Sequence, residues 1–131
     1  MKKIITSGRR KQSVAKATLH EGIGRITINH IDLKIISPEI SKLKMMEPLI
    51  LAGEVTSKVD IEVTVHGGGF ITQADAVRLA IARALTQFSP KLKEVYLDYD
   101  RQLLVADIRV KEAAKPNHHG QARAKTQTSY R

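Results

Sequence analysis

In the stretch DIEVTVH, residues 60–66, apolar and polar positions alternate strictly. Ile61, Val63 and Val65 fall on one face and Asp60, Glu62, Thr64 and His66 on the other, which predicts a strand with a single buried face. Two shorter β-branched pieces precede it, around Ile4–Thr6 and Ser13–His20, with a basic turn expected at Ser7–Lys11. Gly8 is placed to supply an unusual backbone angle in that turn. The run EGIG, Glu21–Gly24, then reads as a tight connection into RITINHI, where Ile26 and Ile28 alternate with Arg25, Thr27 and Asn29. These three pieces predict an antiparallel meander with one buried face.

The period changes to helical in SPEISKLKMMEPLILAG. Ser37 is a plausible N-cap with Pro38 at the first helical position, and Pro48 predicts a break near Met46–Glu47 before a last turn ending at Gly53. The strongest helical pattern follows Gly67–Gly69. Val77, Ala80, Ile81, Ala84 and Phe88 share a stripe, Arg78 and Arg83 lie off it, and Thr72 with Asp75 forms a capping-box-like pair. Ser89–Pro90 ends this helix, PKLKEVYLDY predicts a further short one, and LLVADIRV, Leu103–Val110, predicts a last strand. The order β-β-β-α-β-α-β belongs to the α+β class, a sheet covered by helices. From Lys111 onward only alanines and Tyr130 are apolar, so residues 111–131 read as an extended basic tail on a domain spanning residues 1–110.

Charge sharpens this division. The chain of 131 residues holds 22 lysines and arginines against 13 acids, a net +9. Residues 1–20 carry +6, residues 108–131 carry +5, and everything between carries −2. A near-neutral body with two basic arms is the pattern of a nucleic-acid binder, because phosphate neutralisation dominates such affinity. With no cysteine, disulfides, thiol catalysis and cysteine-based zinc sites are excluded. No run approaches the roughly 20 apolar residues of a membrane span, and no signal peptide is evident at the start. A soluble intracellular protein is the expectation.

The segment VHGGGF invites a catalytic reading, since HGGG loops form oxyanion holes in lipases and esterases. Such enzymes require a G-x-S-x-G elbow, and none exists in this chain. His118–His119 lacks the additional donors of a metal site, and Asp98 and Asp100 in DYD read as surface charge. Neither a P-loop nor a dinucleotide fingerprint occurs. No catalytic residue, metal, cofactor or small-molecule substrate is therefore expected. Five aromatic residues are too few for a base-stacking sheet, so recognition through the RNA backbone is the mode that fits.

Five blocks, SGRRKQSVAKATL, EPLILAGE, VHGGGFITQADAVRLAIARAL, LLVADIRVKEAAKP and QARAKTQTSYR, stand in order along essentially the whole chain. Together they resemble the universal small-subunit ribosomal protein nine family, and the terminal Ser-Tyr-Arg resembles its archaeal and eukaryotic members. The resemblance implies a mixed four-stranded sheet packed by helices, of the ribosomal protein S-five second-domain type with a left-handed β-α-β crossover. It also implies a cytoplasmic, non-catalytic place in the head of the small subunit, beside neighbouring ribosomal proteins. Ribosomal RNA contacts are expected at Gly8, Arg9, Arg10, Lys11, Gly67, Gly68, Gly69, Arg78, Arg83, Arg109, Lys115 and Arg123. Contacts to the anticodon stem-loop of peptidyl-site tRNA are implied for Lys125, Tyr130 and Arg131. The tail departs from the family pattern: Lys125 replaces an arginine, Thr126 a tyrosine and Thr128 a lysine, which lowers its basicity. An RNA-binding subunit of an RNA-processing complex with a similar fold is the alternative.

Overall fold

A computed structural model describes residues 3–36, 38–109, 113, 114, 116 and 122. Five strands, β1 (Ile4–Arg10), β2 (Ser13–Glu21), β3 (Ile26–Ile28), β4 (Ile31–Asp32) and β5 (Val59–His66), form one mixed sheet in the order β1-β2-β5-β3-β4. Helices α1 (Glu39–Ala52), α2 (Phe70–Phe88) and α3 (Leu92–Tyr99) complete the described fold. The α+β class agrees with the sequence pattern, but the sheet has five strands where the family resemblance implied four. The additional one is the two-residue β4, reached through a tight turn in which Asn29 and His30 adopt positive φ.

The expected three-strand meander is not what forms. β1 and β2 pair antiparallel, but β5 takes the place beside β2, and β3 pairs with β5 in parallel. The physical reason is length. The nine residues of β2 and the eight of β5 satisfy each other's ladder almost completely, whereas β3 offers only three residues. Asn29 prolongs β3 with its side chain: its amide donates to the Val65 carbonyl at 3.0 Å and accepts the Val65 N–H at 2.9 Å.

The β2–β3 connection is moulded around one carboxylate. Asp60 Oδ1 accepts the N–H groups of Ile23, Gly24 and Arg25 at 2.9–3.1 Å. The Arg25 N–H leads in holding the Asp60 carboxyl below its usual pKa, with the Ile23 and Gly24 amides and the His20 ring adding to it.

Strand β1 runs through the segment expected to turn. Gly8 lies within it, and the turn is only Lys11 and Gln12, with Lys11 itself at φ 53°. The helix expected to break at Pro48 is continuous to Ala52. Proline cannot donate to the Lys44 carbonyl, but the Pro48 ring is buried and its carbonyl accepts the Tyr96 hydroxyl at 2.7 Å. Burial pushes the Tyr96 phenol well above its usual range, so this donor stays protonated. The first helical residue is Glu39, with Pro38 at the cap position; Ser37, the expected cap, lies outside the described residues.

Helix α2 packs its buried face, Ala74, Ala76, Val77, Ala80, Ile81, Ala84 and Leu85, onto the sheet's apolar side, where Ala15, Ala17, Leu19, Ile61 and Val63 are also buried. The short helix expected from PKLKEVYLDY is α3. The expected last strand does not form: Leu103 ends a 3-10 turn begun at Arg101, and residues 104–109 are irregular. Their acidic member, Asp107, binds Arg10 and Arg109. Val110 and nearly all of the expected tail lie outside the described residues.

Candidate nucleic-acid interface

The β1–β2 turn meets the triple-glycine loop at one end of the sheet, and hydroxyl groups hold them together. Ser13 is fully buried; its Oγ donates to the Gly67 carbonyl at 2.7 Å and lies 2.7 Å from Thr72 Oγ1. Thr72 Oγ1 also accepts the Gly69 N–H at 3.1 Å, and Gln73 Nε2 donates to the Gly67 carbonyl at 3.1 Å. The cap of α2 is thus Gly69 with Thr72 at the third helical position. Asp75, expected as the capping partner, turns to Lys44 at 3.3 Å and Arg10 at 3.8 Å instead.

Two of the three glycines are required by the backbone. Gly67 and Gly68 have φ of 81° and 64°, and a side chain on Gly67 would meet the Gln12 carbonyl oxygen. These residues turn β5 sharply into α2. The result is an open concavity of about 670 Å³ lined by Arg10, Lys11, Gln12, Gly68, Gly69, Thr72 and Arg109. No acidic residue occupies the first turn of α2, so its free N–H groups and dipole favour an anion there.

The cations around this concavity differ in their freedom. Asp107 binds Arg10 at 2.9 Å and Arg109 at 2.6 Å. The Arg109 guanidinium, then the Arg109 N–H and Arg10, hold the Asp107 carboxyl far below its usual pKa. Arg10 is therefore anchored, while Arg109 remains 80 % exposed despite its partner. Arg9 and Lys11 are exposed and form no ion pair among the described residues. Asp107 had no place in the sequence reading, although its position two residues before Arg109 is the available signal.

Other expected contact residues sit elsewhere. Gly8 is buried beneath α2. Arg78 is only 14 % exposed and ties Glu47, at 2.6 Å, to Asp100, at 3.1 Å, joining α1 to the end of α3. Asp100 is thus a structural partner and not the free surface charge expected; the Gln102 N–H, then Arg78, lower its pKa. Arg83 donates to the Ser7 carbonyl at 2.9 Å and the Leu104 carbonyl at 3.3 Å. Lys115, Arg123, Lys125, Tyr130 and Arg131 lie outside the described residues, as do His118 and His119. Among the described residues no group of His, Asp or Glu side chains could hold a metal, and no helix is long and apolar enough to cross a membrane.

A family model for ribosomal protein S9/S16 matches residues 8–131. The chain is 51 % identical over 133 aligned positions to the small ribosomal subunit protein uS9 of Methanothrix thermoacetophila, covering all of both chains. It is 46 % identical over 134 positions to the proteins of that name from Methanococcus maripaludis and Methanococcus vannielii, again with full coverage of both. These likenesses run through the turn, the glycine loop and the tail alike, and the chain belongs to the ribosomal protein S9/S16 family.

Proposed function

We propose that this protein is a non-catalytic component of the small ribosomal subunit head that binds ribosomal RNA through phosphate contacts. The observation that carries the reading is the concavity between the β1–β2 turn and the α2 N-terminus, walled by glycine backbone and rimmed by Lys11 and Arg109, with Arg9 in an adjoining cleft that shares Lys11. Glycine lets an RNA backbone come close to exposed N–H groups, and exposed cations at the rim neutralise its phosphates. Lys115 and Arg123, further along the sequence, extend the same contact. Arg78, engaged by two carboxylates of the fold, helps mainly by shaping the surface.

The test removes charge without disturbing the anchored pairs. Arg9→Gln with Lys11→Asn is suitable, because asparagine tolerates the positive φ at position 11. The logarithmic salt slope of binding to a small-subunit ribosomal RNA fragment should fall by about two, one for each lost phosphate contact. An unchanged slope in the folded variant rules the site out.

The tail carries a second part of this reading. Tyr130, Arg131 and Lys125 reach the anticodon stem-loop of peptidyl-site tRNA, with Thr128 contributing no charge. Deleting Tyr130–Arg131 should weaken tRNA retention in the peptidyl site while leaving incorporation into small subunits intact. Parental retention by the truncated protein would remove the tail from this role.

A further inference from the structure

We infer a second RNA-backbone site in the groove beside β1, where Lys16, Arg83 and Lys93 converge; the inference rests on the RNA-binding reading above. The groove measures about 770 Å³, and its polar lining includes Ser7, Lys16, Arg83, Thr86, Gln87 and Lys93. Every charged residue in it is basic. Lys16 and Lys93 are exposed and belong to no ion pair among the described residues. Arg83 is held in place by the Ser7 and Leu104 carbonyls, which hydrogen-bond two of its nitrogens and leave its charge unneutralised by any carboxylate among the described residues. A fixed guanidinium flanked by two exposed ammonium groups suits a run of phosphates.

Strand register connects this groove to the first site. Arg9 pairs with Val14 and Ser7 with Lys16, and Val14 and Lys16 in turn face His66 and Thr64 of β5. Side chains at Ser7, Arg9, Val14, Lys16, Thr64 and His66 therefore share the sheet face turned away from the helices. The two rungs nearest the turn carry Arg9 and Lys16 and no acid. The next two carry Glu62 and then Asp60. Adjacent rungs of one face lie about 7 Å apart, a step that successive phosphates of one strand span.

This grading gives the track a direction. An RNA backbone leaving the glycine loop past Arg9 meets Lys16 one rung on. It is then turned away from Glu62 and over the edge of the sheet, toward Arg83 and Lys93. A regular polyanion is favoured over an acidic protein segment, because the cations form a line that continues from the first site. The contact reads phosphate charge and carries no base specificity.

The full-length Lys16→Gln/Lys93→Gln variant, titrated with salt against a transcript of the small-subunit ribosomal RNA head, tests this site. Its logarithmic salt slope should fall by about two, so that a fourfold rise in salt costs it about sixteenfold less affinity than the parent. Its melting temperature should be unchanged, and Lys16→Arg/Lys93→Arg should restore the slope. A parental slope in the folded glutamine variant overturns the groove as an RNA site. If the Arg9/Lys11 variant still loses slope, only this inference falls; if neither variant does, the RNA reading of the turn falls as well. A parental slope combined with poor retention on assembled small subunits places an acidic protein in the groove, which also overturns the assignment.

Discussion

Replacing Gly8 by alanine should cost about 3 kcal/mol of stability and lower the melting temperature by about 10 °C, although it adds a single methyl group. A Cβ on Gly8 would lie 2.2 Å from the Ala76 carbonyl oxygen and 2.7 Å from the Ala80 nitrogen. Both are backbone atoms of α2, so no rotamer change relieves the clash and the helix must move off the strand. Movement then disturbs neighbours on both sides, including the bond from Thr6 Oγ1 to the Ala80 carbonyl at 2.8 Å. The interface is built for close approach: Ala76 and Ala80 of α2 are fully buried, as are Ala15 and Ala17 of β2. Thermal unfolding of Gly8→Ala followed by circular dichroism checks this. A melting temperature within about 2 °C of the parent would falsify the close-packing account.

Gly68→Ala is expected to damage both stability and RNA binding. At φ 64° an alanine costs about 1–2 kcal/mol in backbone strain alone. Its Cβ would also fall 2.3 Å from Ser13 Oγ and 2.5 Å from Thr72 Oγ1. Either hydroxyl swings clear only by rotating about χ1 and giving up hydrogen bonds, so the Ser13–Thr72 contact must open. The Ser13 hydroxyl is then left with an incomplete set of partners in a buried site. We expect a total loss of about 2–4 kcal/mol. Gly68 also lines the concavity, so RNA affinity measured well below the melting temperature should fall as well. Loss of stability with parental affinity assigns the loop to folding alone, and loss of affinity with a parental melting temperature assigns it to RNA alone.

These two glycines show how far the sequence could be read. VHGGG announced a strand that turns sharply into a helix, and that joint is present, because the φ requirement of glycine is a local property. Gly8 gave the wrong impression for the complementary reason. It was assigned to a turn on account of its backbone freedom, whereas its use is the absence of a side chain against Ala76 and Ala80 of a helix far along the chain. Nothing near Gly8 in sequence reports that neighbour. Pro48 is similar: alone it predicts a break, but burial of its ring and the Tyr96 hydroxyl on its carbonyl accommodate it within α1.

The candidate site divides along the same line. That the turn and the chain ends are basic followed from charge and composition, and so did the proposal that recognition runs through the RNA backbone. Which cations stand free did not. Arg78 looks as available in sequence as Lys11, yet two carboxylates neutralise it, while Asp107 anchors Arg10.

By itself, the sequence determined the α+β class, the buried faces of β5 and α2, the helix at Leu92–Tyr99, the absence of a hydrolase elbow and the family. Each of these is recorded in periodicity, composition or linear motif. Only the tertiary structure decided that β5 lies between β2 and β3, that residues 103–109 forgo a strand, and which arginines the fold consumes. Periodicity specifies which face of an element is buried but not what covers it. That choice depends on matching lengths, volumes and charges between segments far apart in the chain, and it is made only when they pack.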